Sequence, residues 1–184
     1  MNEQLENIVN KRTQELLDKN KELERLAVTD RLTGIYNRLK LDEVFQHELQ
    51  RSERYELDFG VILIDIDHFK AVNDTHGHQI GDTALIEIAA IITKNLRKVD
   101  ILGRWGGEEF LIICPETNGD NASIIAEKLR NAIDSFHFSV ADHITASFGV
   151  TSYKKSDDVK TIMFRADAAL YRAKERGRNR VEYI

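Results

Sequence analysis

Arg104-Trp105-Gly106-Gly107-Glu108-Glu109-Phe110 joins a short apolar run to Phe110-Leu111-Ile112-Ile113-Cys114, and the rest of the chain is organised around it. Two glycines between β-type runs mark a hairpin tip. They admit the positive backbone angles of a tight two-residue turn and, lacking side chains, leave open space above it. Glu108 and Glu109 follow at once. A bare backbone crown beside two carboxylates can approach a phosphate chain closely and hold the cation that phosphate requires. Alone, Gly-Gly-Glu-Glu would read as a solvated turn; the rest of the chain argues otherwise.

In Ile62-Leu63-Ile64-Asp65-Ile66-Asp67-His68-Phe69-Lys70 an apolar run ends in carboxylates, with a lysine shortly beyond. Such a run is a central strand buried on both faces, which places Asp65 at the rim of the sheet. Hard cations with phosphate ligands are usually held by one or two carboxylates, and Asp65 and Glu108 supply that pair. Asp67 has two readings: a further metal ligand, or the cap of a short helix that begins at His68. Strand alternation does not decide, because Asp65 and Asp67 would share a face if the strand continued.

These motifs resemble the GGDEF family of diguanylate cyclases, in the variant spelled Gly-Gly-Glu-Glu-Phe. The resemblance runs from about Thr29 to the C-terminus. It includes Asp30-Arg31-Leu32-Thr33-Gly34-Ile35-Tyr36-Asn37-Arg38, Phe69-Lys70-Ala71-Val72-Asn73-Asp74, Gly77-His78-Gln79-Ile80-Gly81-Asp82, and Ala166-Asp167-Ala168-Ala169-Leu170-Tyr171 followed by Gly177-Arg178-Asn179-Arg180. So many ordered, well-spaced motifs do not agree by chance. The resemblance implies condensation of two GTP into cyclic di-GMP with release of two pyrophosphates, at a site shared by two chains.

By the same resemblance Asp65, Glu108 and the Ile66 carbonyl hold magnesium, with manganese as the alternative, and Asp67 is the helix cap. Glu108, Glu109 and Lys70 form the catalytic set. Glu108 sits where an acceptor for the 3′-hydroxyl proton is placed, although a metal-bound carboxylate is a poor base. Asn73 and Asp82 match the guanine-binding positions, His78 a nucleotide-contacting one, and Gly106 and Gly107 line the substrate. Lys174 and Arg178, one helical turn apart, can grip the outer phosphates from one face; without the resemblance they would read as charge favourable to a helix C-terminus. Arg97 and Asp100 match an Arg-x-x-Asp inhibitory product site. A further basic residue completes that site across an interface, and the sequence leaves it open between Lys128 and Arg130.

The chain's 184 residues, 42% of them hydrophobic, suit one globular domain with a real core. A formal charge of −5 argues against general nucleic-acid binding, while nucleotide substrates need only local cations. One cysteine, Cys114, excludes an internal disulfide framework and reads as a reduced core residue. No apolar run is long enough to cross a bilayer and the N-terminus is unlike a signal peptide, so a cytoplasmic location is expected. The chain is then either a cytosolic protein or the cytosolic output part of a larger receptor.

Residues 1–28 read as a separate helix and residues 29–184 as the catalytic domain. Leu5, Val9, Arg12, Leu16, Lys19, Leu23 and Leu26 alternate spacings of four and three, the seam of a coiled coil that predicts a homodimer. Arg12 and Lys19 weaken that seam, and an ordinary solvated amphipathic helix is the alternative. The resemblance makes this helix the linker from an upstream sensor, which the chain does not include.

Periodicity then predicts helices over 39–55, 83–96, 121–136 and 159–175. Strands are predicted over 58–66, 99–105, 109–114 and 144–151, with a short edge strand over 181–184. Residues 74–81 read as a polar loop. His76 and His78 lack a third soft ligand nearby, so a zinc site is not expected. The fold class is α+β, a mixed central sheet with helices packed mainly on one face, preceded by the long N-terminal helix. The resemblance adds similarity to polymerase palms and class III nucleotide cyclases. The functional alternative is a catalytically silent module that binds GTP or cyclic di-GMP, but such modules lose signature acids, and this chain keeps them.

Overall fold

The computed structural model describes residues 11–19, 26–139 and 143–184. Five strands form a mixed sheet in the order β2-β3-β1-β4-β5. They are β1 (Phe59–Ile66), β2 (Ile101–Arg104), β3 (Glu109–Pro115), β4 (Ala146–Ser152) and β5 (Val181–Tyr183). All eight residues of β1 are buried, which is why it takes the centre, antiparallel to β3 on one side and to β4 on the other. Only β5 is parallel, against β4. The signature hairpin therefore lies on one side of the sheet and not at its middle. Its outer edge is covered by the segment around Tyr36, which pairs with Thr29 and with Gly103.

Helices α1 (Arg38–Tyr55), α2 (Phe69–His76), α3 (His78–Asn95), α4 (Gly119–Asp134) and α5 (Val159–Glu175) lie on both faces, not mainly on one. On one face Ile62, Ile64 and Ile66 of β1 pack with Leu85, Ile88 and Ile92 of α3 and Leu129 and Ile133 of α4. On the other, Val61 and Leu63 pack with Leu41 and Phe45 of α1 and Ile162 and Leu170 of α5. A strand apolar at every position needs cover on both sides, and each such side chain contributes roughly 1.5–3 kcal/mol when fully buried. Cys114 is a free, buried thiol of this core, and burial pushes its pKa up.

Helix starts follow their capping residues. The side chains of Asn37, Asn118 and Asp158 accept from the amides of Lys40, Asn121 and Thr161. Residues 74–81 are not a loop. They continue α2 to His76 and open α3 at His78, with one break at Gly77, whose φ of +86° lets the chain turn between the helices. Their exposed, polar side chains hid the helical period.

Gly149 of β4 sets the depth of α5. A Cβ there would lie 2.2 Å from the Ala166 carbonyl oxygen and 2.4 Å from the Leu170 amide nitrogen, so the helix backbone rests directly on the strand. One turn beyond Leu170, the same helix delivers Lys174 to the end of β1.

Before the domain, residues 11–19 are helical, with Leu16 64% exposed. Leu5, Val9 and Leu23 of the predicted seam lie outside the described residues. No described helix is long and apolar enough to cross a membrane.

Candidate active site

The register of β1 against β3 pairs Asp65 with Glu109, and directly paired residues project from the same face. That face is the one covered by α5. Lys174 Nζ lies 2.9 Å from Asp65 Oδ1, and Asp65 is only 8% exposed. Burial raises the Asp65 pKa above the ordinary carboxylate range, opposed by Lys174, assisted by Asp67 and opposed again by Arg178. Burial likewise raises the Glu109 pKa, with the charges of Asp65, Asp167 and Glu108 adding to it against Lys174. Burial is thus the main cause of both shifts, and acidic groups outnumber cations at the end of β1.

Glu108 reaches the same place through its backbone. Its carbonyl accepts from the Ile66 amide at 3.4 Å, so the hairpin tip closes on the end of β1. Asp65, Glu108 and the Ile66 carbonyl offer only oxygen donors, the chemistry that suits magnesium, and the excess of negative charge is what a divalent cation would relieve. Among the described residues no three acidic, histidine or cysteine side chains are arranged to hold a metal.

The tip differs from the expected two-residue turn. Its loop spans 105–108, and neither Gly106 nor Gly107 has a positive φ. Absence of a side chain is what both positions use. A Cβ on Gly106 would meet Glu109 Oε2 at 3.0 Å, and Gly107 faces open space. The Gly107 carbonyl accepts from Arg104 Nε and Nη2 at 3.0 and 2.7 Å. Arg104 Nη1 also reaches both Asp30 oxygens at 3.3 Å. Burial works to raise the Asp30 pKa, but the Thr33 hydroxyl and amide together with Arg104 outweigh it and hold the pKa low. Asp30 thereby ties the segment that follows the N-terminal helix to the tip of the hairpin. The sequence reading gave neither Asp30 nor Arg104 a role; the two stand 74 positions apart and nothing local links them.

Asp67 is not a helix cap. His68 takes the N-cap position of α2 and makes no side-chain cap bond. Asp67 instead accepts from the Ser147 hydroxyl at 2.6 Å, the Thr145 hydroxyl at 2.7 Å and the Asn179 amide at 3.0 Å. Lys70 is exposed on α2. Asn73 packs over Gly81, where a Cβ would lie 2.0 Å from its Oδ1. This brings Asn73 beside the exposed Asp82, with His78 exposed at the start of α3.

Arg97 and Asp100 line a separate cavity of about 430 Å³, together with Tyr36, Thr93 and Leu102. Asp100 Oδ2 accepts from the Arg97 amide at 2.9 Å, while Oδ1 is buried without a hydrogen-bond partner. Lys128 Nζ donates to the Asn95 carbonyl, two residues before Arg97. Arg130 is turned elsewhere, toward Glu127, Asn131 and Asn179.

A family model described as diguanylate cyclase, GGDEF domain, matches residues 27–180. Diguanylate cyclase DgcP of Pseudomonas aeruginosa is 42% identical over 159 residues, which cover 85% of this chain and 24% of DgcP. The chain thus spans about a quarter of that relative's length. The coiled coil and GGDEF domain of DgcB from Caulobacter crescentus, solved in complex with c-di-GMP, matches with a TM-score of 0.89 and 31% identity over 96% of this chain and 95% of that one. The active GGEEF domain of a diguanylate cyclase from Vibrio cholerae matches with a TM-score of 0.77 and 37% identity over 80% of this chain and 96% of that one. The family model covers most of the chain, and the Gly-Gly-Glu-Glu tip closes on the end of β1: the chain belongs to the GGDEF family of diguanylate cyclases.

Proposed function

We propose that this chain condenses two GTP molecules into cyclic di-GMP, each 3′-oxygen attacking the other's α-phosphorus and releasing pyrophosphate. The observation that supports the reading is the closure of the open Gly106-Gly107 tip onto the end of β1, where the Glu108 carbonyl accepts from the amide of Ile66, the residue after Asp65. Asp65, Glu108 and the Ile66 carbonyl would hold magnesium, or manganese in its place. When bound, the ion offsets charge on the phosphates and on the attacking and leaving oxygens. Lys174 and Arg178 grip the outer phosphates, and Lys70 adds positive charge from α2. Glu109 supports Asp65 from the paired strand, and Glu108 is the acceptor nearest the 3′-hydroxyl.

Guanine is read by Asn73 and Asp82. A carboxylate at Asp82 accepts from the N1 and N2 donors of guanine, a pattern adenine lacks, so adenine leaves it unpaired. His78 contacts the nucleotide from the start of α3. Asp82→Ser is accordingly expected to lower the GTP-over-ATP preference in kcat/KM by at least about tenfold. An unchanged ratio in a folded variant would remove Asp82 from the guanine site and count against the reading.

Cyclic di-GMP returning to the Arg97–Asp100 cavity is the proposed inhibitor. The basic residue that completes the site comes across an interface, and the choice stays between Lys128, which donates to its own chain's Asn95 carbonyl, and Arg130, which bonds Glu127, Asn131 and Asn179. Residues 1–28 serve as the dimerising helix and residues 29–184 as the cyclase domain. The exposed Leu16 and Leu26 are apolar positions that a partner helix would cover. An upstream sensor would act through this helix from the cytoplasmic side.

A further inference from the structure

Arg178 sits in an unusual turn. Gly177, Arg178 and Asn179 have φ values of +113°, +63° and +44°, so three consecutive residues occupy the left-handed region and two of them carry side chains. A non-glycine residue held there is strained and persists only where its surroundings impose it. The Asn179 amide donates to Asp67 Oδ2 at 3.0 Å. Its side chain accepts from Arg130 Nη1 at 3.2 Å and donates to Asp134 Oδ1 at 3.0 Å. The Arg178 amide donates to the Ala173 carbonyl at 3.0 Å. Asp67 is 6% exposed and has all its bonds directed at β4, the segment before it and this turn.

We infer that Asp67 is a positioning residue for Arg178: it locks the 177–179 turn against the end of β1 and so aims the guanidinium at the nucleotide phosphates, touching neither nucleotide nor metal itself. This rests on the reading of Arg178 as a phosphate grip. Asp67 lies two residues after Asp65 at the same strand end, so one short segment holds both the candidate metal ligand and the anchor of the phosphate-binding turn.

The two roles open to a buried aspartate here separate on a conservative exchange. In Asp67→Asn the carbonyl oxygen can still accept from Thr145 and Asn179, and the amide can donate to the Ser147 hydroxyl, which rotates to accept. A metal ligand would not survive that exchange. Asp67→Ala removes every acceptor. The full chain is therefore compared as wild type, Asp67→Asn, Asp67→Ala and Arg178→Ala, by hydrogen exchange of the 177–180 amides and by kcat and KM with GTP.

We expect Asp67→Ala to lose at least about tenfold of the exchange protection at Asn179 and to raise KM about tenfold, with a smaller change in kcat. Asp67→Asn should keep both properties within about threefold of wild type. Adding Asp67→Ala to Arg178→Ala should cost little more in KM. Where Asp67→Ala does not fold, Asp67→Ser replaces it, since its short hydroxyl keeps the position polar but does not span to Asn179. Asp67→Asn as impaired as Asp67→Ala, or unchanged exchange and KM in the folded Ala or Ser variant, overturns the inference. The exchange result stands apart from turnover. A wild type without cyclase activity would fail the functional reading, while Asn179 protection would still decide whether Asp67 anchors the turn.

Discussion

Glu108→Gln is expected to cut cyclic di-GMP synthesis at least about a hundredfold, equivalent to ~2.7 kcal/mol of transition-state stabilisation, in a protein that melts within a few degrees of wild type. The amide keeps the side chain's shape but not its charge, and a hard cation binds a neutral amide oxygen far less well than a carboxylate. The fold should survive because Glu108 joins the end of β1 through its backbone carbonyl, which accepts from Ile66 and is unaffected by the exchange. The tip is held separately by Arg104 on the Gly107 carbonyl. Near-wild-type turnover in a folded Glu108→Gln protein would remove Glu108 from the metal site.

The second large effect concerns assembly. The chain carries one Asp65–Glu108 pair, one Asn73–Asp82 pair and no internal repeat, so in the proposed reaction the two GTP molecules are presented by two chains. For a protein beginning at Ala27, specific activity should fall nearly tenfold for each tenfold dilution once the domains are mostly separate. The full chain should resist dilution better, because the proposed pairing through residues 1–28 would raise the effective concentration of the two halves. Specific activity of the shorter protein that stays flat over the whole dilution series would refute the two-chain site.

Much of this was legible in the sequence because its signal is local. An apolar run closed by Asp65 placed β1 at the centre, and the period of α5 gave its observed limits, Val159–Glu175. Other features depend on contacts across long stretches of chain. Asp67 finds its three partners 78, 80 and 112 positions away, so its cap-or-ligand ambiguity had no local resolution. The Asp30–Arg104 link is of the same kind. Residues 74–80 misled because an exposed helix without an apolar stripe resembles a loop, and only Gly77 interrupts it. Of the two properties read into the tip glycines only one is used: they lack side chains, as expected, while positive φ belongs to Gly34, Gly77 and Gly177.

Every residue role proposed above depends on synthesis of cyclic di-GMP from GTP. Its most direct test is incubation of the full chain at micromolar concentration with GTP and magnesium, followed by chromatographic separation of the products with and without a chelator. The account predicts a product that co-elutes with cyclic di-GMP, one for every two GTP consumed, with two pyrophosphates released and none of it formed when the metal is chelated. GTP that remains intact, or is consumed without any cyclic dinucleotide, while the protein is folded and manganese has also been tried, would contradict it.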